Sequence, residues 1–444
     1  MNFVVFLAAC LIVAGGASAS LQERIELAEP GDTLIIESGV HTGNIIVSKR
    51  LTLIGDFGAI IRGDGVASSV TITADSVELS DFKIEHSGTN LATDDAGIMI
   101  RADHCKIHHN RLDDILFGIY FYKADDNSVY DNAVTGRGFL ELGERGSGMH
   151  LFDSHRNEIS GNIITGTRDG FYVQNSNHTT FQSNEVTGVR YGLHYMYSDT
   201  NRFLDNRFTH NVAGAAVMYS SGITIRRNQF LHNRGFASYG ILFQDCDDLV
   251  VDSNLIADNV TGLFFEATTK SSFQNNIIAR NDIAIQMFQN SPGNLIVNNN
   301  FIENLNPLVI VGKRTETRWS IGKRGNYWSS YKGYDLDNDG AGDIPMKIHN
   351  VFEYLEGRLP MIRLYLYSPV SQALAVATEA FPILALNEEQ DEHPLMRPVD
   401  LRDLIETTRS AKSDDESGSP VMLVLVGAFA GGGIWTIFRR RGAK

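Results

Sequence analysis

Between Asp32 and about Val311 the chain is a succession of short apolar runs separated by polar turns. Within each run every second residue is apolar, and β-branched and aromatic residues predominate. Asn, Gly and Asp bound the runs. That period of two, closed off by turn formers, predicts strands rather than helices. Two rulers tie the strands together. Asn162, Asn184, Asn206 and Asn228 recur every 22 residues. Outside them come Asn110, Asn132, Asn254, Asn276 and Asn300, with longer spacings where loops intervene. Gly148, Gly170, Gly192 and Gly214 keep the same period, followed by Gly240 and Gly262. A fixed period in the twenties marks a solenoid. Phe181, Phe203, Ile225 and Val251 each stand three residues before a ruler Asn. Val186, Phe208, Phe230 and Ile256 each stand two after one. Three short strands and three turns per repeat make one coil. The predicted fold is therefore all-β, a right-handed parallel β-helix of about 12 coils stacked about 4.8 Å apart. A leucine-rich repeat would need a Leu ladder and a helical segment, which the pattern lacks. The insert "RGFLELGERG" (137–146) lengthens one coil by eight residues and should project as a loop.

Both ends change character. Residues 1–19 are apolar and close on Ala17-Ser18-Ala19, a signal-peptide pattern. The β-helix is expected over 20–345, with an Asp-rich capping loop at 335–343. An extension and polar linker follow over 346–418. The apolar run 420–438, followed by Arg439, Arg440 and Arg441, is long enough to span a bilayer as a single C-terminal transmembrane helix, 419–439, with its arginines on the cytoplasmic side. The expected location is periplasmic, anchored in the inner membrane by that helix. A net charge of −15 argues against nucleic acid as a partner. Cys105 and Cys246, the cysteines left after cleavage, lie coils apart, so no disulfide framework is expected.

In the strand after each ruler Gly, the first and third residues face inward and the second and fourth outward. The outward set is Tyr120, Tyr122, His150, Phe152, Tyr172, Gln174, His194, Met196, Ala216, Met218, Leu242, Gln244, Phe264 and Glu266. A solvated sheet face would carry charges or hydroxyls; this one is aromatic and nearly uncharged, so something covers it. In "GLHYMYS" (192–198), His194 and Met196 share the outward face. Met218 falls beside Met196 one coil on, about 5 Å away. Imidazole and thioether together suit Cu(I). His194, Met196 and Met218 are the favoured copper ligands, with His150 on the same face a weaker one. Two other readings stay open: a docking surface with Met as adaptable filler, and a satellite core under a loop.

Other candidates are weaker. His210 and His232 occupy equivalent turn positions in adjacent coils and should stack, as copper ligands or simply as turn histidines. "HPLM" offers His393 and Met396 on a flexible tail, as a soft-metal hand or a docking segment. In "DHCKIHH" (103–109), alternation sends Cys105 inward and His104 and His108 outward, which argues against a shared ligand. Asp335, Asp337, Asp339 and Asp343 follow the spacing of the first half of an EF-hand loop, which suits calcium. Met346 stands where that loop needs its bidentate Glu, and an Asp/Gly-rich turn that caps the last coil is the other reading.

Several stretches together resemble the NosD family. They are "GDTLIIESGVHTGNIIVSKRLTLIGD" (31–56), "RYGLHYMYSDTN" (190–201), "AAVMYS" (215–220), "GNYWSSYKGYDLDNDGAGDIP" (325–345) and "EAFPILALNEEQDEHPLMRP" (379–398). The asparagine coils alone are shared with many carbohydrate-acting β-helices; the other stretches are specific. The resemblance implies a non-catalytic accessory protein for maturation of nitrous-oxide reductase. It would help deliver copper, or a copper–sulfur precursor, to the reductase's copper centres. The implied partners are the ATPase and permease of an ABC transporter, the reductase itself and a copper-donor lipoprotein. The C-terminal membrane segment departs from the family's pattern. The rival is a β-helical epimerase, lyase or glycosidase, which would need clustered carboxylates on the outer face. Only Glu266 qualifies there, with Asp153 and Asp245 just past strand ends. A third class is an adhesive or scaffold module that binds no copper.

Overall fold

A computed structural model describes residues 19–236, 238–312, 315–348, 368–369 and 389–401. Each coil lays down three short strands, and each strand pairs in parallel with its counterpart one coil on. Three sheets of 12, 13 and 12 strands result. Twelve coils are complete, and Tyr327–Trp328 adds the extra strand of the second sheet, opening a thirteenth turn. Register shifts once, at Asp113–Ile115; across the methionine coils residue faces residue: Leu193 pairs with Ala215, His194 with Ala216, Tyr195 with Val217 and Met196 with Met218.

Asparagine side chains hold that register. The Asn162 N–H donates to Asn184 Oδ1 at 3.0 Å, and the Asn162 side-chain amide donates to the same oxygen at 3.0 Å. Asn184 treats Asn206 the same way, at 3.0 and 2.9 Å. The ladder continues without a gap from Asn110 to Asn326. One expectation needs correction. The rung near the end is Asn299, not Asn300. Asn300 is a strand residue opposite Ile277, and its side chain instead binds the main chain of Val399. A second ladder runs at the next bend, through Asn211, Asn233, Asn259, Asn281 and Asn304. The glycine ruler has a steric cause. A Cβ on Gly192 would lie 2.5 Å from the Gly214 carbonyl oxygen, so the coils could not approach as closely with any other residue.

The core is a filled column. Phe181 and Phe203 stack at 4.8 Å, and Phe208 and Phe230 at 5.1 Å. Tyr195 points inward and is fully buried. Its hydroxyl donates to the Ser198 carbonyl and accepts from the Asn201 amide. Cys105 and Cys246 are buried and free.

Both ends of the column are covered. A helix, Leu21–Leu27, begins with a capping box between Ser20 and Glu23 and turns Leu21 and Ile25 onto the core. At the other end Gln390–Asp391 pairs antiparallel with Met346–Lys347. Asp391 Oδ2 accepts the Asn326 N–H at 2.7 Å, the Asn326 amide at 3.3 Å and Trp328 Nε1 at 3.0 Å. A carboxylate thus stands where the next asparagine oxygen would be. Glu389 accepts from the Thr315 N–H and from Trp319 Nε1. The "NYW" and "EEQDEHPLMRP" stretches, far apart in sequence, meet at this cap.

The chain divides into Met1–Asp400, which holds the solenoid, and Leu401–Lys444. Residues 1–18, most of the 346–418 extension and the segment 419–439 lie outside the described residues. Among the described residues no helix is long and apolar enough to cross a membrane.

Replacing Asn206 by Ala removes the acceptor for two buried donors of Asn184. An unsatisfied buried donor costs about 1–3 kcal/mol, so urea denaturation should show a loss of about 3 kcal/mol or more. A change under about 0.5 kcal/mol would mean the ladder does not carry the stacking.

Candidate functional site

The outward face of the third sheet carries two columns of side chains, one residue apart in register from the core. In the first, Tyr120, His150, Tyr172 and His194 follow ring upon ring, with centroids 4.3, 4.4 and 4.7 Å apart. The second runs Tyr122, Phe152, Gln174, Met196, Met218, Gln244 and Glu266. The face is covered in one part and open in another. Tyr120 is buried in a satellite cluster with Met99, Leu116 and Phe117, against which Phe152 packs. The Arg101 guanidinium lies 5.1 Å from the centre of the Tyr122 ring. Further along, Met196 and Met218 are only half-buried. Beside them Tyr197 and Tyr219 stack at 5.0 Å and stand 53% and 40% exposed. The chain therefore covers Tyr120 itself and leaves Tyr122 and the methionine coils accessible.

His194 is tied down from behind. Its Nδ1 lies 3.2 Å from Asp169 Oδ2. The Asp169 side chain is fully buried and takes a bidentate pair of bonds from Arg190, at 2.8 and 2.7 Å. Burial pushes the Asp169 carboxyl up. Hydrogen bonds from His194 and Arg190, with the Arg190 charge, outweigh it and hold the group at about 2. An ionised Asp169 keeps the His194 proton on Nδ1. The Nε2 lone pair is then the one available to a ligand, as in carboxylate–histidine–metal arrangements. Asp169 and Arg190 were not among the sequence candidates. A signal for them exists: "RDG" (168–170) and "RYG" (190–192) occupy the same place in successive coils, just ahead of the ruler glycine.

His150 behaves differently. Burial, with the nearby Arg168 charge, pushes it down to about 3, so its ring is neutral. Its Nδ1 is buried with no hydrogen-bond partner. Its place in the ring stack puts it two coils from His194, with Tyr172 between them.

The remaining candidates lie elsewhere. The His210 and His232 rings do stack, at 5.0 Å. Both sit at left-handed turn positions (φ 55° and 56°) ahead of the second ladder, off the His194 face. His393 and Met396 are not on a free hand. The His393 N–H donates to Asp391 and its carbonyl accepts from Gly325, while the Met396 N–H donates to Gly340. They belong to the end cap, because two buried carboxylates pin the segment that carries them. Met396 lines a cavity of about 850 Å³ with Asp335, Asp339, Lys323 and Arg397. Oxygens of Asp335, Asp337 and Asp339 gather within 4.8 Å of one another. Asp343 does not join them; it accepts the Leu336 N–H at 2.6 Å. Lys323 Nζ reaches Asp339 at 2.9 Å and Asp337 at 3.5 Å, so the chain supplies the loop with its own counter-ion.

The protein-family model described as "Periplasmic copper-binding protein (NosD)" matches residues 130–333. A protein of Stutzerimonas stutzeri called "Probable ABC transporter binding protein NosD" is 33% identical over 407 residues, 87% of this chain and 92% of the relative. The protein of that name from Pseudomonas aeruginosa is 35% identical over 412 residues, 88% of this chain and 94% of the relative. This chain belongs to the NosD family. The span matched by the NosD model contains His150, Asp169, Arg190, His194, Met196 and Met218. Among solved structures, the A-module of an Azotobacter vinelandii mannuronan C-5 epimerase superposes with a TM-score of 0.57 at 13% identity, over 67% of this chain and 92% of that one. The catalytic domain of a GH87 α-1,3-glucanase gives 0.50 at 13% identity, over 71% and 69%. At such identities the likeness is one of fold alone.

His150 makes a pH prediction. Its folded pKa lies below its ordinary value of 6.5, so the unfolded chain takes up the proton first as pH falls. Stability tied to the neutral ring is complete above pH 6.5 and is lost between there and about pH 3. Between pH 7 and 5 the metal-free parent should lose about 2 kcal/mol more than His150→Phe in urea unfolding. Equal losses would contradict the buried, neutral ring.

Proposed function

We propose that this NosD-family protein receives copper outside the cytoplasm and passes it on for maturation of nitrous-oxide reductase. The cargo is copper or a copper–sulfur precursor. The observation that carries the reading is the Asp169–His194 pair beside Met196 and Met218, in register on one accessible face. A fixed imidazole nitrogen and two thioethers are soft, few-coordinate ligands that suit Cu(I). They hold the ion without enclosing it, so a partner's ligands can replace them one at a time. That is transfer by ligand exchange, with no bond made or broken in a substrate and no enzyme chemistry required.

The family description supports a periplasmic, copper-binding role, and the names of both relatives support an ABC transporter as partner. In this reading the ATPase and permease of that transporter, a copper-donor lipoprotein and the reductase meet the chain in turn. The exposed Tyr197–Tyr219 pair borders the methionines and offers the contact surface. The segment 419–439 anchors the protein in the inner membrane. A calcium ion at Asp335, Asp337 and Asp339 would have to displace Lys323.

The test is reductase maturation in cells that carry the His194→Ala, Met196→Ala, Met218→Ala triple variant in place of the parent. Copper content and activity of the isolated reductase should fall at least about tenfold, the order seen when a metal site loses supporting groups. A fully loaded reductase would overturn the reading.

A further inference from the structure

A second pair of imidazoles faces outward on a different sheet. His108 ends the strand Lys106–His108 of the first sheet, with Ser80 and Tyr130 as register partners. Its ring lies parallel to that of Tyr130 at 4.6 Å, and its Nε2 is 3.1 Å from Glu78 Oε1. The side chain is nearly buried. His109 follows at the bend, where the coil imposes a left-handed backbone (φ 54°) on the residue before the ladder asparagine. That conformation turns the His109 ring edge-on to His108, at 84°, and brings the two Nδ1 atoms within 2.8 Å. His109 Nε2 lies 3.8 Å from Asp131, and its side chain is half-exposed. The "DHCKIHH" stretch thus does contain a converging pair. It is His108 with His109, brought together by the bend, while Cys105 points into the core.

At this distance the N–H of one Nδ1 donates to the lone pair of the other, so a single hydrogen lies between the two rings. A carboxylate on the Nε2 side keeps the ring proton there and leaves the Nδ1 lone pair free. Glu78 does this for His108 by direct contact, and Asp131 stands on the Nε2 side of His109 to do the same once its Nδ1 is engaged. In the metal-free protein that place is filled by the shared N–H proton of the hydrogen bond. We propose that His108 and His109 form a second copper site, in which Cu(I) takes the place of the shared proton. The exchange is balanced: one monovalent cation enters, the displaced Nδ1 proton moves to Nε2 of the same ring, on the side of Asp131, and no oxidation state changes. Imidazole suits copper. Metal–imidazole bonds of about 2.0–2.1 Å set the two nitrogens about 4 Å apart across a two-coordinate ion. His109, at the surface, supplies the opening of about 1 Å by side-chain rotation, while His108 stays clamped between Tyr130 and Glu78. Two nitrogens satisfy Cu(I) but leave Zn²⁺, which takes four ligands, short.

The site shares no residue with the His194–Met196–Met218 set, and its two histidines and Glu78 lie outside the span that the family model matches. It stands independently of the function proposed above. The test is anaerobic Cu(I) titration of the full chain against a chromophoric chelator, with X-ray absorption on the loaded protein. His109→Ala, a change at a half-exposed position, should bind one equivalent fewer than the parent. Glu78→Gln should weaken that equivalent by about 10- to 100-fold. The His194→Ala, Met196→Ala, Met218→Ala protein should retain it, with nitrogen scatterers and no sulfur. Unchanged stoichiometry and affinity in His109→Ala overturn the proposal. Loss of all copper in the triple variant also overturns it while supporting the methionine site. Loss of copper in His109→Ala alone, with the triple variant unaffected, supports it and counts against the methionine site.

Discussion

Asn184 Oδ1 accepts both the main-chain and the side-chain N–H of Asn162, and the same double bond is repeated one coil on. This contact sets which residue sits over which. A strand that slipped by one residue would turn every outward side chain into the core. With the asparagines fixed, His194 must lie over Tyr172, Met218 over Met196, and His108 over Tyr130. The ladder is buried, so each amide that lost its partner would cost the desolvation of a polar group. The end of the ladder follows the same rule. Asp391 supplies the acceptor that the last rung, Asn326, would otherwise lack.

A column held this way is rigid, and rigidity decides what its surface can do. Adjacent coils keep a constant rise, so two side chains at the same offset keep a constant separation without support from a loop. That suits ligands that must be present but not enclose their ion. The two histidine sites use the scaffold in different ways. His194 owes its orientation to a buried carboxylate, Asp169, that enters from the start of the preceding coil's strand. His108 and His109 owe theirs to the bend, where the left-handed residue before Asn110 swings one ring against the other. In both, the carboxylate is the element that commits one ring nitrogen and frees the other.

Much of the fold is legible in the sequence because its constraints are periodic. The Asn and Gly rulers mark positions where few residue types fit, with Ala284 taking the glycine place in one late coil, and the alternation between them predicts the outward columns correctly. Where three asparagines are adjacent, at 298–300, periodicity cannot choose. The structure selects Asn299 and gives Asn300 to the returning tail. The second ladder, Asn211 to Asn304, escapes notice because other residues hold its place in earlier coils. The site is less legible. Met196 and Met218 follow from register, but Asp169 and Arg190 act through a contact between coils that alternation does not report. The convergence of His108 and His109 depends on a backbone angle, and a strict alternation between faces misses it. The cap joins residues 63 to 74 positions apart, such as Trp328 with Asp391 and Thr315 with Glu389, and no local pattern foretells that pairing.

The central claim is that the accessible third-sheet face holds copper through ligands set by coil register. Anomalous diffraction at the copper edge, on crystals of the Cu(I)-loaded protein, tests it most directly. The account predicts an anomalous peak within bonding distance of His194 Nε2 and of the Met196 and Met218 sulfurs, with the His194–Asp169 bond retained. Loaded crystals with no peak on that face would contradict it.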